Sequence, residues 1–487
     1  MKKLISIILA VTMAFSMMLP AFAQSETIAE HNPAECGNIP VIIVRGMDFG
    51  GLYTDVGTEK QAPAINVNAG NIVKSVFKSI FVGVTRFSID AAMEVVLDCV
   101  ADIFKGLQID DKGYSPYNTG TIEYLESAGS YENLCEGIPS EFGMVHACID
   151  EFGGDHTYYF NYDWRIDPFI ISDKINAMIE DICETTGHEK VNLACASLGG
   201  VMTVAYLTEY GYERLNKCLF MSSAFCGSQA SDLLSGQISI TADNLYKFLD
   251  DLVKDSKAGK FAMKALYKIG VFGFAEKISD WVLKNYEDDA YEKVLFPVFG
   301  CVLPMWGMVQ AEDYEAAVDY IFKDKKDQYA DFIQKTADLQ RMMANRTQLI
   351  SDMIDDGVKV AIVAAYDSPC APVYENCDFN GDGVLETYQM SGYATVAKFG
   401  ETLGDDYVAK NPELLSPDKV VDLSTALFPE YTYIIKGAPH VAASYGTEYS
   451  EFFIWLLREE GDFYAGVNPK YPQFMVSGDD ESLKAFD

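Results

Sequence analysis

The sequence predicts an α/β fold, a mostly parallel sheet flanked by helices with a helical insertion, and three observations carry that prediction. Short apolar runs at residues 39–45, 157–162, 190–197, 215–222, 358–366 and 431–436 have the length of strands, and their near-continuous apolar character is that of strands covered on both faces. Helical spacing separates or follows them, at 172–186 and 443–457, which is the alternation that joins parallel strands by crossover helices. The run 190–197 ends on Ser197 and passes straight into a stretch opened by Gly199 and Gly200, as a strand does when it turns sharply into a helix.

The N-terminus reads as an export signal. Lys2 and Lys3 precede an apolar stretch that continues to Met18, and Ala21 and Ala23 give the small-residue cleavage pattern, so residues 1–23 are expected to be removed after Ala23 and the protein to be secreted. No later stretch of about 18 uninterrupted apolar residues follows, so no stable membrane span is expected. A formal net charge of −35 argues against nucleic acid and anionic membranes as partners, because a surface of that sign is repelled by phosphate within a Debye length. The eleven cysteines are odd in number and cannot all pair within one molecule. Cys195 and Cys218 read as buried strand thiols, whereas Cys135 with Cys148, and Cys370 with Cys377, are spaced to close short loops. Neither C-x-x-C nor paired-histidine spacing occurs, so no metal centre of that kind is expected.

The chain of 487 residues is long enough for one large α/β core with insertions. The core is expected at 36–227 and 356–462, with a helical insertion at about 66–110 whose apolar stripe runs through Val73, Val76, Phe77, Ile80, Val84 and Phe87. Residues 228–355 read as a helical block, placed as a cap or lid over the C-terminal edge of the strands, and 463–487 as a C-terminal tail.

The chemistry centres on Ser197. A strand that delivers a serine onto a tight turn before a helix is a nucleophile elbow; the alternative is an ordinary strand-to-helix turn of a doubly wound sheet. The glycine expected two residues before the nucleophile is replaced by Cys195. The first strand ends in a glycine-rich turn, residues 46–51, where Met47 N–H is expected to share a developing oxyanion with Leu198 N–H. His440 is the only histidine after Ser197 and sits between the last strand and the last helix, the position of a general base. Asp382 is the expected acid, with Asp367, directly after its strand, as the alternative. The stretch around Asp382 also matches a calcium loop through Asp378, Asn380, Asp382 and Gly383, although Gln389 stands where the bidentate glutamate belongs. Calcium is thus the one cofactor the residues suggest, and otherwise none is expected.

These segments together resemble the lecithin:cholesterol acyltransferase and lysosomal phospholipase A2-like branch of the α/β hydrolases, a likeness carried by residues 40–46, 162–165, 190–200, 380–384 and 436–440 in the family's order. The resemblance implies Ser197, Asp382 and His440 as the catalytic triad and Met47 with Leu198 as the oxyanion hole, with residues 162–165 as supporting structure. The chain departs from the family at Arg45, where proline is usual, at Ala196, where histidine is usual, and at Val384, where threonine is usual. The activity implied is that of a secreted serine carboxylic-ester hydrolase, a lipase, phospholipase or esterase, or an O-acyltransferase, acting on lipid or other acyl esters. The alternatives are a peptidase or amidase on the same scaffold, and a non-catalytic binding protein, to which Cys195 and the basic Arg45 point.

Overall fold

The computed structural model describes residues 38–65, 89–132, 134, 142–254, 256–372, 380–440, 447–478 and 483–486. The export signal, the apolar stripe at 73–87, Cys135, Cys377 and Asp378 lie outside the described residues.

In chain order the main elements are β1 (Val41–Val44), α1 (Ile89–Phe104), α2 (Phe142–Phe152), β2 (Thr157–Phe160), α3 (Pro168–Thr186), β3 (Val191–Ser197), α4 (Gly199–Tyr210) and β4 (Leu215–Ser223). A helical stretch follows with α5 (Ala242–Asp251), α6 (Lys257–Lys268), α7 (Val271–Ala290) and α8 (Ala330–Asp355), before β5 (Lys359–Tyr366), β6 (Thr432–Lys436), α9 (Thr447–Arg458), β7 (Phe474–Ser477) and β8 (Leu483–Ala485). The eight strands form one sheet in the order β8-β7-β6-β5-β4-β3-β1-β2. Every pairing is parallel except that of β8 with β7.

Side-chain alternation along the strands divides the core into two halves. Ile42, Val44, Leu193, Cys195 and Phe220 face the layer of α3, α4 and α8, whereas Val41, Ile43, Ala194, Leu219 and Met221 face α2 and α9. Both faces are covered, which is why the strands are largely apolar on both faces rather than at every second position. Local signals fix the helices that do this covering. Asp167 caps α3 by accepting from Phe169 N–H, Pro168 occupies its first turn, and Gly187 closes it at φ 73°.

Within 463–487, expected as a tail, two short strands instead extend the sheet: β7 pairs with β6 and β8 with β7. Their short length hides them from any periodicity argument. Within the block 228–355, α8 packs on α4 and runs into β5, so it serves as the crossover between β4 and β5. The insertion joins the same helical layer through α1, where Tyr286 OH donates to Asp90 and Lys293 pairs with Asp98.

Candidate active site

Ser197 ends β3 with φ 51°, in the left-handed region that a side chain enters at a cost of about 1 kcal/mol or more. Three glycines permit the turn. A Cβ on Gly46 would lie 2.5 Å from Ser197 Cβ, one on Gly199 2.6 Å from the Val44 carbonyl oxygen, and one on Gly200 1.9 Å from Ser223 Oγ. The end of β1, the serine and the start of α4 are therefore in direct backbone contact. The absent glycine at Cys195 has no such consequence: its side chain is buried between the hydroxyls of Thr203 and Ser223, and burial pushes the thiol up to about 12. Cys195 and Cys218 are both free buried thiols, as the strand pattern predicts. Cys148 also carries a free thiol, so the expected short loop to Cys135 is not closed through it.

Gly46 brings Met47 alongside the serine, and Leu198 follows it at the start of α4, whose first amides lack intrahelical acceptors. The segment carrying Met47 is clamped from beneath. Arg45 is fully buried, paired with Asp48 at 3.0 Å, and donates to the Tyr162 carbonyl at 2.7 Å, while Tyr162 OH returns a bond to the Arg45 carbonyl at 2.9 Å. Trp164 Nε1 donates to the Asp48 carbonyl, and Phe49 meets the Trp164 ring edge-on at 5.2 Å. Arg165 anchors the clamp in turn, pairing with Asp163 and donating to the Leu107 and Thr119 carbonyls. Residues 162–165 are thus supporting structure, and Arg45, read from sequence as a basic group pointing to a binding protein, is an internal tie paired with Asp48. The i,i+3 spacing of Arg45 and Asp48 was the available signal for this.

His440 and Asp382 meet at the C-terminal edge of the sheet, where Nδ1 of the imidazole is 2.6 Å from Asp382 Oδ2. The chain leaves β5, and Ser368 then exchanges backbone hydrogen bonds with Gly381, which returns Asp382 to the strand end. Asp382 Oδ1 accepts from Val384 N–H at 3.0 Å and Leu385 N–H at 2.8 Å, so both carboxylate oxygens are committed and the group is buried. His440 hangs from the loop after β6, only partly buried. Because Asp382 accepts a hydrogen bond from Nδ1–H, the lone pair of the neutral ring lies on Nε2. Among the described residues no hydrogen bond joins Ser197 Oγ to His440, although β3, β5 and β6 all end at the same edge.

Asp367, the alternative acid, does not hold the histidine. It faces Lys436 at 3.8 Å, and partial burial raises its carboxyl against the pull of Lys436. Asn380 and Asp382, the calcium-loop side chains among the described residues, have other partners. Asn380 accepts from Asp367 N–H and donates to the Ala397 carbonyl, while Asp382 is engaged with His440 and two amides.

No family model matches this chain, and no curated protein does. Among solved structures, a chain from "The crystal structure of Tle4-Tli4 complex" is similar at 13% identity, covering 41% of this chain and 48% of that one with a TM-score of 0.24, so the match spans about half of that chain's length.

Proposed function

We propose that this protein is a serine carboxylic-ester hydrolase of α/β-hydrolase type, acting through an acyl-serine intermediate on lipid or other acyl esters. The observation that carries the reading is the His440–Asp382 pair at the sheet edge that also presents Ser197 in a left-handed turn. In this reading Ser197 Oγ attacks the ester carbonyl while His440 Nε2 accepts its proton, and Asp382 stabilises the imidazolium through Nδ1–H. The developing oxyanion rests on the amides of Met47 and Leu198, each such donor being worth about 10² to 10³ in rate. The imidazolium then protonates the departing alcohol, and water, or an acceptor alcohol in an acyltransferase, releases the acyl group.

The part of 228–355 that precedes the crossover helix α8 serves as a lid in this reading, and residues 1–23 direct the chain out of the cell. The two departures that favour a non-catalytic binding protein have structural counterparts, since Cys195 is buried in its strand and Arg45 is paired internally. The test is labelling with a fluorophosphonate, together with turnover of short- and long-chain esters and a matched amide. Wild type is expected to carry one adduct on Ser197 and to cleave esters, and Ser197→Ala to do neither; ester turnover retained in Ser197→Ala overturns the assignment, and faster amide cleavage moves it to a peptidase or amidase.

A further inference from the structure

Within the helical block, α6 carries a surface of opposite charge to the chain as a whole. Six of the fourteen exposed large apolar side chains among the described residues fall between 252 and 281: Leu252, Phe261, Tyr267, Ile269, Phe274 and Trp281. Phe261 and Ile269 are 77% and 74% exposed, values unusual for side chains of their size. Helix α6 has no buried residue, and only Gly259, Met263 and Leu266 on its inner side are partly covered. Its outer side places Lys257, Lys264 and Lys268 at helical spacing around Phe261, with Lys260 adjacent. Among the described residues none of these four lysines forms a salt bridge, in contrast to Lys247 and Lys254, which pair with Asp243 and Asp251.

The location is as telling as the composition. Asp251 and Lys254, at the junction of α5 and α6, stand close enough to Asp367 for their charges to act on its carboxyl. Asp367 directly follows β5, so this junction lies at the sheet edge that bears His440 and Asp382. A basic helix with an aromatic wedge, held against the body by few apolar contacts, matches the chemistry of an element that lies in a lipid–water interface. The net charge of −35 does not oppose this, because a Debye length of about 8 Å at physiological salt lets an outward row of lysines be felt locally.

We infer that α6 docks this protein onto the surface of lipid aggregates bearing anionic headgroups, with Phe261 and Ile269 entering the acyl boundary and Lys257, Lys260, Lys264 and Lys268 contacting the headgroups. Docking stands on the helix alone; that the same surface carries the substrate rests on the ester-hydrolase reading. The sequence-level expectation that net charge excludes anionic membranes is thereby reversed at one face.

The test uses full-length Ser197→Ala protein, so that hydrolysis does not consume the lipid, in flotation with vesicles of phosphatidylcholine alone and of phosphatidylcholine mixed with phosphatidylglycerol. Binding is expected to the mixed vesicles, weakening as salt rises. Lys260→Gln with Lys264→Gln should lower it by roughly thirtyfold, at about fivefold for each lysine removed, and Phe261→Ser by about tenfold. Lys260→Arg with Lys264→Arg should retain it, and unchanged thermal midpoints show that the variants fold. Absence of binding to the mixed vesicles, equal binding to the neutral ones, or full binding by the glutamine and serine variants overturns the proposal. So does a dimer that forms without lipid and dissociates in Phe261→Ser, which would assign the face to a second copy. Turnover of a soluble short-chain ester by the otherwise wild-type surface variants reports separately on the catalytic reading and is expected to be unchanged.

Discussion

His440 Nδ1 lies 2.6 Å from Asp382 Oδ2, and the second oxygen of that carboxylate accepts two backbone amides. The aspartate is therefore fixed before the histidine reaches it, and its orientation selects the imidazole tautomer. Asp382→Asn offers an amide in place of the acceptor and is expected to lower kcat on a soluble ester by about 10⁴-fold with the fold intact. Asp367→Asn, at a side chain that faces Lys436, should change kcat by less than about threefold, as is usual for a group outside the reacting set. Steady-state kinetics of the two variants side by side check the assignment.

The same engagement of Asp382 bears on calcium. A cation in the loop would have to take Asp382 from His440 and Asn380 from the Asp367 amide and the Ala397 carbonyl. Activity and thermal midpoint are expected to be the same in calcium and in excess chelator. A calcium-dependent rise in the midpoint would show that the loop rearranges to bind the ion.

Backbone contact between Gly46 and Ser197 makes a further expectation. In Gly46→Ala the new methyl would meet Ser197 Cβ at 2.5 Å, and neither atom is at the end of a flexible side chain. The elbow and the Met47 segment must then separate, and displacements of about 1 Å at a reacting group can cost about 10²-fold in rate. The expected result is slower fluorophosphonate labelling by at least that factor, with a circular dichroism spectrum like that of wild type.

The parts of this architecture that were legible in the sequence are those that repeat a local rule. Six buried strands announced themselves as apolar runs because both faces of the sheet are covered, and Ser197 and His440 stood out because each occupies a distinctive junction, strand to helix and strand to loop. Choosing between Asp367 and Asp382 required the backbone pairing of Ser368 with Gly381, which no local pattern announces. β7 and β8 are too short to show a period, and their places are set by the open edge of β6. The role of Arg45 was hidden for another reason: its partner Tyr162 is remote in sequence, so it read only as a basic group beside the oxyanion loop.

The Arg45–Asp48 pair gives a measurable case of that hidden term. Arg45 is fully buried and Asp48 nearly so, and removing one member leaves an uncompensated charge whose cost is about 3 kcal/mol. Asp48→Asn is therefore expected to destabilise the fold by about that amount in urea unfolding. Arg45→Met combined with Asp48→Leu should cost less than the sum of the single changes, because the double variant leaves no unpaired charge.

Beneath the opposite end of the sheet, Lys217 makes stability depend on alkaline pH. Its side chain is fully buried at the start of β4, and Nζ donates to the carbonyls of Leu456, Leu457 and Glu459, closing the C-terminal end of α9. Burial lowers its pKa from 10.5 to about 8, against the attraction of Glu460. Between those two values the unfolded chain binds more protons than the folded one, so unfolding free energy should rise as pH increases from about 8 towards 10.5. Below that window the amine is charged in both states and its burial carries its full cost. Lys217→Met removes the titration and is expected to flatten this part of the pH profile, while leaving the Leu456 and Leu457 carbonyls without this donor and lowering stability at neutral pH by about 1–3 kcal/mol. Urea unfolding of wild type and Lys217→Met at a series of pH values measures both effects, and a parallel rise in the two proteins would exclude Lys217 as the titrating group.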